Sequence, residues 1–392
     1  MLKCNGGDMM KYLLFLLFLL VLITGCSVEK ALPSEAEPTA TTAVPIPSSP
    51  ETVPPTTSAP DPIELLLESM SMEEQVGQLF LARCNAPSAA ADTASYHLGG
   101  FVLFGNDFQD QTPASMAETI ASYQNAAKIP LLIAVDEEGG TVTRVSRYPQ
   151  YRSSPYPSPR NLYNQGGIDL IKSTETEKCQ LLASLGVNVN LGPVCDISDL
   201  PGAILYYRSL GQSAEITSDF IVQTVSVMAD NHIGSVLKHF PGYGNNADTH
   251  VQIATDSRTL EALESCDLIP FQAGIDAGAD AVMVSHTIAE ALDGDLPASL
   301  SPAVHQYLRQ NMGFDGVILT DDLVMQAITE QYGTGEAAVL AVLAGNDLLC
   351  CTEYAQQYQA VLDAVLSGRI DYAQLRSSVL RILRWKQELG LI

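Results

Sequence analysis

The chain has 392 residues, with 20 basic and 45 acidic side chains and therefore a formal net charge of −25. Hydrophobic residues make up 46% of the sequence and charged residues 17%, which excludes a fully disordered chain, since disorder requires few apolar residues together with high net charge. The acid excess argues against nucleic-acid binding, which requires a basic surface to neutralise phosphates.

The first 25 residues have the proportions of an export signal. Lys3 and Lys11 precede an unbroken apolar run at 12–23. That run is too short to cross a bilayer, because a membrane-spanning helix needs about 20 residues. It ends in Ile-Thr-Gly-Cys at residues 23–26, which resembles a bacterial lipobox. We expect a lipoprotein signal peptide at 1–25 and lipidation of Cys26, with an ordinary signal peptide and a coincidental cysteine as the alternative.

Residues 26–60 are predicted to form a tether between the lipid and a folded domain. Eight prolines fall within 27–60, and serine, threonine and alanine fill most of the other positions. Such a segment cannot bury a core and forms an extended spacer. Residues 61–392 are left as a single catalytic domain, located outside the cytoplasm and anchored to the cell membrane through the lipid.

The domain begins with two helix-start signals and then alternates short apolar runs with longer amphipathic stretches. Asp61-Pro62 offers an N-cap followed by proline, and Ser71 with Glu74 has the spacing of a capping box. Eight apolar runs follow, at 77–83, 99–104, 131–136, 187–196, 234–239, 281–286, 316–321 and 347–351. Continuous apolar runs separated by helices are typical of buried parallel strands. The pattern predicts an α/β fold, the (β/α)8 TIM barrel, with a doubly wound open sheet as the alternative.

Polar residues lie at the ends of these runs, where a barrel would gather them around one mouth. They are Asp136, Asp196, Lys238, His239, His286 and Asp321. Active sites of such barrels lie at the carboxyl ends of the strands. The sequence therefore predicts one active site built from several strand ends.

The densest group of reactive residues follows the fifth run. Lys238 and His239 lead into a loop rich in proline, glycine and asparagine, which contains Asp248 and His250. A carboxylate bonded to one imidazole nitrogen sets the tautomer and raises the basicity of the other nitrogen. Asp248 and His250 are thus a candidate catalytic dyad, with an ordinary surface loop as the alternative.

Carboxylates after the third and seventh runs have the chemistry of a glycosidase. Asp321 can act as a nucleophile toward an acetal carbon, and Asp136 can accept hydrogen bonds from sugar hydroxyls while Arg144 donates to another. We expect Asp322 to cap a helix that starts at residue 323. Glu137 and Glu138 are expected to be structural or solvated, and Arg208 lies on a loop with Tyr206 and Tyr207 that suits sugar stacking or plain packing.

Three motifs together resemble glycoside hydrolase family 3, most closely its single-barrel bacterial β-N-acetylglucosaminidases. They are Lys-His-Phe-Pro-Gly-x-Gly … Asp-x-His at 238–250, Asp-x-Glu-Gly-Gly at 136–140 and Thr-Asp-Asp-Leu at 320–323. The resemblance implies Asp321 as nucleophile and His250, oriented by Asp248, as general acid/base. It further implies sugar binding by Asp136, Arg144, Arg208, Lys238 and His239, with His286 nearby. Tyr243 and Thr141 depart from the family pattern, which typically has His and Arg there.

The resemblance implies retaining hydrolysis of terminal β-linked N-acetylglucosamine from peptidoglycan fragments, without a metal or other cofactor. The expected partners are an N-acetylglucosamine-containing glycan or muropeptide and, through the lipid, a membrane; we expect a monomer that binds no nucleic acid. Within the family, a β-glucosidase and a phosphorylase are also compatible with the motifs. Outside it, the residues would also suit an aldolase that uses Lys238, a metal-dependent hydrolase that uses His239, Asp248, His250 and His286, or a non-catalytic wall-binding lipoprotein.

Overall fold

The computed structural model describes residues 61–244 and 254–392. Cys26, the predicted signal peptide and the tether lie outside the described residues, as do Asp248 and His250.

Eight parallel strands form the barrel, and the sequence prediction of this fold is confirmed. Neighbours along the sheet are consecutive in the chain, and the eighth strand also pairs with the first. Leu319 bridges Leu348, and Thr320 N donates to Leu348 O at 3.2 Å, so the seventh strand meets the eighth and the alternative open sheet is wrong. The strands are β1 Phe80–Arg83, β2 Gly100–Leu103, β3 Leu132–Val135, β4 Val189–Asn190, β5 Gly234–Phe240, β6 Ala281–Val284, β7 Val317–Thr320 and β8 Leu349–Cys351.

One helix follows each strand and covers the outside of the barrel. In chain order these are Ala89–Tyr96, Pro113–Ala126, Pro159–Ser184, Ala214–Asp230, Leu268–Asp276, Pro302–Gln306 with its π-helical continuation Tyr307–Asn311, Thr334–Ala344 and Tyr354–Leu366. The connecting segments add short helices at Gly105–Gln109, Leu260–Glu264, Ala298–Leu300 and Gln326–Tyr332. No helix within 61–244 and 254–392 is long and apolar enough to cross a membrane.

The helices at the two ends of the domain begin where their capping residues predict. Pro62–Glu68 starts after Asp61, whose carboxylate accepts from Ile63 N, and Met72–Gln78 starts with the Ser71–Glu74 capping box. The last helix is Tyr372–Glu388, N-capped by Asp371. Both the first helix and Met72–Gln78 pack against that last helix, which brings the two ends of the domain together.

The bounds of two predicted strands differ most from those in the structure. The run at 77–83 is divided, because the helix that starts at the capping box continues to Gln78. Only Phe80–Arg83 remains in the sheet. The run at 187–196 contributes only Val189–Asn190 to the sheet, since Pro193 has no N–H to donate to a neighbouring strand. The chain touches β5 again at the Val194–Lys238 bridge, and this return brings Asp196 to the mouth.

Because the strands are buried, polar residues at their ends indicate a functional site. All four residues of β2, β3, β6 and β7 are buried, as expected for parallel strands covered by helices. All seven residues of β5 are buried as well, although Lys238 and His239 are among them. A buried lysine requires partners that compensate for the loss of water, and these partners define the site.

Candidate active site

The predicted site residues within the described part of the chain meet at the carboxyl ends of the strands. Asp136 directly follows β3, Lys238 and His239 lie in the last three residues of β5, and Asp321 directly follows β7. The placement comes from the barrel, because parallel strands all end at the same rim. These residues come from positions up to 185 apart in the sequence and form one mouth.

Lys238 is the centre of a buried ion network. Its Nζ lies 2.7 Å from Asp136 Oδ1 and 2.6 Å from Glu138 Oε1, and its side chain is 2% exposed. Burial opposes the charged ammonium group, but the two carboxylates outweigh that effect and raise the pKa of Lys238. The lysine is thus held as a hydrogen-bond donor to two carboxylates, which does not suit the free amine that an aldolase requires.

Arg208 completes the network by pairing with Glu138. Its Nε and Nη2 donate to the two carboxylate oxygens at 2.9 and 2.7 Å, a bidentate pair. Burial opposes ionisation of Glu138, yet Arg208 and Lys238 overcome it and hold the pKa of that carboxyl well below its usual range. The network therefore contains two cations, Lys238 and Arg208, and two anions, Glu138 and Asp136, so its charges balance.

Glu138 was not predicted as a site residue. The prediction that it is structural or solvated is only partly right, since it is 6% exposed and contacts two predicted sugar-binding side chains. Its neighbour Glu137 has a purely local role: it accepts hydrogen bonds from the backbone N–H groups of Arg144 and Val145 and from the Ser146 hydroxyl. Glu137 therefore shapes the turn that carries Arg144.

His239 is oriented by Asp196, which the sequence placed at a strand end without a role. Asp196 Oδ2 accepts from His239 N at 2.9 Å and lies 2.8 Å from Nδ1, while Nε2 lies 3.1 Å from Arg208 Nη2. Because a guanidinium group only donates, Nε2 accepts and the ring proton resides on Nδ1. Asp196 Oδ1 also accepts from Tyr243 N at 2.7 Å, so one carboxylate holds both His239 and the start of the following loop.

Arg144 holds its guanidinium group beside Asp136. Its Nη2 lies 3.6 Å from Asp136 Oδ2, and its Nε is buried without a hydrogen-bond partner among the described residues. The aromatic ring of Phe104 lies on one side of the guanidinium group, with its centroid 5.6 Å away. The Arg144 side chain is a quarter exposed, so the accessible nitrogens of its guanidinium group can donate to a polar substrate group.

Asp321 lies half-buried at the end of β7. Its backbone N donates to Val284 O at 3.0 Å, and its Oδ1 accepts from Asp322 N at 2.8 Å. The expected cap by Asp322 is wrong, since the next helix begins only at Gln326. Instead, Asp322 accepts from Val324 N and from the Thr352 hydroxyl, and burial raises the pKa of its carboxyl.

His286 lies beside the backbone that follows Asp321. It is fully buried, with Nδ1 2.6 Å from the Ser299 hydroxyl and Nε2 3.1 Å from Asp322 O. These contacts support the backbone immediately after Asp321. Within 61–244 and 254–392, no three histidine, cysteine or acidic side chains are grouped to hold a metal ion.

The two residues that depart from the family pattern differ in position. Tyr243 is 4% exposed, and its ring meets that of His239 edge-on with centroids 5.4 Å apart. Thr141 is exposed on the turn before Arg144.

On the loop before Arg208, Tyr206 packs against the Arg160 guanidinium group at 4.1 Å, while Tyr207 is exposed. Plain packing therefore describes Tyr206.

Comparisons with known proteins identify relatives over most of the chain. Beta-hexosaminidase LpqI of Mycobacterium tuberculosis is 30% identical over 367 residues, 90% of each chain, and a beta-hexosaminidase of Xanthomonas campestris is 35% identical over 280 residues, 69% of this chain and 82% of that one. The solved structure of M. tuberculosis LpqI superposes with a TM-score of 0.77 at 27% identity, covering 84% of this chain and 97% of that one.

A second solved structure, a glycoside hydrolase family 3 beta-N-acetylglucosaminidase from Paenibacillus sp., superposes with a TM-score of 0.77 at 35% identity. It covers 82% of this chain, and this chain spans 63% of that longer one. Residues 71–385 match the N-terminal domain of glycosyl hydrolase family 3. The barrel, the motifs at its mouth and this match together show that the chain belongs to glycosyl hydrolase family 3.

Proposed function

We propose that this glycoside hydrolase is a retaining exo-β-N-acetylglucosaminidase that acts on peptidoglycan fragments. The observation that carries the proposal is the mouth itself, where Asp321 shares one rim with the Asp136–Lys238–Glu138–Arg208 network and Arg144. Relatives and solved structures named beta-hexosaminidase and beta-N-acetylglucosaminidase support this specificity.

In the proposed first step, an Asp321 carboxylate oxygen forms a bond to the anomeric carbon while the glycosidic C–O bond breaks. The protonated imidazole of His250 gives its proton to the departing oxygen. In the second step neutral His250 takes a proton from water, whose oxygen displaces Asp321 and releases the sugar with its configuration retained. Asp248 orients His250 in both steps.

The sugar is held by the side chains at the mouth. Asp136 accepts from ring hydroxyls, while Arg144, Arg208 and Lys238 donate to sugar oxygens; the neutral His239 adds a polar edge fixed by Asp196. Because all these groups are paired with each other before substrate binds, little reorganisation accompanies binding.

The stereochemical outcome and a panel of sugars test this function. We expect release of nitrophenol from 4-nitrophenyl β-N-acetylglucosaminide, and proton NMR of the first product should show the β-anomer. Parallel assays with β-glucosides, and with phosphate added to detect a sugar 1-phosphate, address the β-glucosidase and phosphorylase activities. Formation of the α-anomer would rule out Asp321 as a covalent nucleophile, and preferential cleavage of β-glucosides would overturn the specificity.

We further propose that the mature chain is a monomeric lipoprotein, held outside the cytoplasm by acyl chains on Cys26 and separated from the membrane by residues 27–60. The lipobox-like sequence and the proline-rich composition support this arrangement. Expressed in its bacterial host, the full chain should incorporate labelled palmitate and sediment with membranes, whereas Cys26→Ser should do neither. Equal membrane recovery and labelling of the two proteins would refute the anchor.

A further inference from the structure

The segment that carries Asp248 and His250 is entered and left through two fixed stretches of backbone. On the entry side, Gly242 N donates to His239 O at 2.8 Å and Tyr243 N donates to Asp196. On the exit side, Thr255–Asp256 pairs in parallel with Ile288–Ala289, which begins two residues after His286. Both stretches are thereby attached to the rim of the barrel.

The side chain of Arg258 contacts both stretches. Its Nε donates to Asp256 Oδ1 and Oδ2 at 3.0 and 2.9 Å on the exit side. Its Nη2 donates to Gly242 O at 3.3 Å on the entry side. Its Nη1 donates to Asp267 Oδ2 at 2.6 Å, at the start of the helix that follows β5. The planar guanidinium group thus joins entry, exit and barrel wall.

The entry stretch packs so closely on this cluster that only glycine fits. A Cβ on Gly242, which has φ +114°, would lie 2.8 Å from Asp267 Oδ1. A Cβ on Gly244, at φ +54°, would lie 2.8 Å from the Arg258 guanidinium carbon. Both glycines of the Pro-Gly-x-Gly motif therefore have a packing reason in addition to their backbone angles.

The cluster of Arg258, Asp256 and Asp267 is held in place because both of its carboxylates are buried. The side chains of Asp256 and Asp267 are 3% and 1% exposed, whereas that of Arg258 is 34% exposed. The arginine cannot leave without uncovering two buried anions, which is strongly unfavourable. The hydrogen bonds of Arg258 within the described part of the chain do not involve the Asp136–Lys238–Glu138–Arg208 network, so its contribution is separate from sugar binding.

We propose that Arg258 is a positioning residue for the general acid/base, and that it acts by fixing the distance between the two ends of the segment that carries His250. The proposal rests on the proposed function, in which His250 transfers the proton. The proposal predicts a defect in proton transfer alone, because other residues bind the sugar and position Asp321.

The test uses N-acetylglucosaminides with leaving groups of different acidity. Dinitrophenolate leaves without a proton, whereas a plain phenol requires one, so loss of the acid affects mainly the phenyl glycoside. We expect Arg258→Lys, which keeps the positive charge but not the planar fork, to lower kcat/KM about 10- to 100-fold on the phenyl substrate and several-fold less on the dinitrophenyl substrate. Added azide should accelerate the variant, but not the wild type, on the dinitrophenyl substrate.

Arg309→Lys is the matched control. Arg309 also joins a buried carboxylate, Asp347, to backbone carbonyl groups, those of Phe314 and Gly316, but at the opposite end of the strands. We expect a lower Tm for this variant and equal changes on both substrates. Equal losses on both substrates in Arg258→Lys, or no loss at all, would overturn the positioning role.

Two further variants separate the possible failures. His250→Ala should show the same dependence on the leaving group and the same azide response in a stronger form; if it does not, the proposed acid/base assignment itself is wrong. Gly244→Ala, which pushes a methyl group against the guanidinium group, provides a second route to the same displacement. If Arg258→Lys does not fold, a Gly244→Ala protein without selective loss on the phenyl substrate contradicts the proposal.

Discussion

Replacing Asp321 with alanine is expected to lower kcat on 4-nitrophenyl β-N-acetylglucosaminide by about 10⁴-fold or more, since it removes the group that forms the covalent bond. The carboxylate directly follows β7, and its backbone N is tied to Val284 O, so the strand end determines where the nucleophile lies. The variant should retain its Tm within a few degrees, because the carboxylate is only half-buried.

Azide distinguishes the nucleophile from the acid/base. In the Asp321→Ala enzyme, azide can enter the space left by the carboxylate and displace dinitrophenolate directly, which gives the α-glycosyl azide. In His250→Ala, azide attacks the glycosyl-enzyme and gives the β-azide, because two displacements retain the configuration. A β-azide from Asp321→Ala would contradict the assignment.

The neighbouring aspartate supplies the control. Asp322→Asn keeps an oxygen for Val324 N or the Thr352 hydroxyl, and we expect its kcat to fall by less than about 10-fold. Asp321→Asn also keeps the acceptor for Asp322 N but is not a nucleophile, so its kcat should fall as steeply as that of the alanine variant.

Much of the fold could be predicted because burial and chain order follow a simple rule here. Strands covered on both faces are continuous apolar runs, and consecutive strands are neighbours in the sheet, so the order of eight runs predicts the barrel. Strand bounds were less predictable, because they depend on where the chain leaves the sheet. The helix signal before Phe80 and the Gly192-Pro193 turn each remove residues that are apolar enough for a strand.

The sequence was sufficient to predict the polar site residues that lie at strand ends, but not those that lie behind them. Asp136 follows β3 directly, so its position alone marks it. Glu138, two residues further on, faces Lys238 and Arg208, which are 100 and 70 residues away in the sequence. A run of three acids does not show which one turns inward, and only the folded barrel brings the two cations to Glu138. Likewise, the link from Arg258 to Gly242 depends on contacts that spacing cannot show.

The second large effect is expected from Glu138→Gln, which leaves the buried Lys238 and the partly buried Arg208 with one carboxylate fewer. Removing one partner of a buried ion pair typically costs about 3–5 kcal/mol, so we expect the free energy of unfolding at pH 7 to fall by about that amount. Lys238 and Arg208 also lose their orientation, so kcat/KM should fall by about 10- to 100-fold. Glu336→Gln, which breaks the exposed pair with Arg369, is the control and should change stability by less than about 0.5 kcal/mol.

The pH dependence separates loss of this charge from general damage to the barrel. The folded state holds the pKa of Glu138 below its value in the unfolded chain, because Arg208 and Lys238 outweigh the effect of burial. The ionised carboxylate therefore stabilises the fold fully above the unfolded-state pKa, about 4.3, and that stabilisation declines as the pH falls below it. Denaturant unfolding should thus show a gap between wild type and Glu138→Gln that is constant from pH 8 to pH 6 and narrows below about pH 4.5. A gap that stays the same down to pH 3.5 would mean that the variant loses packing rather than charge.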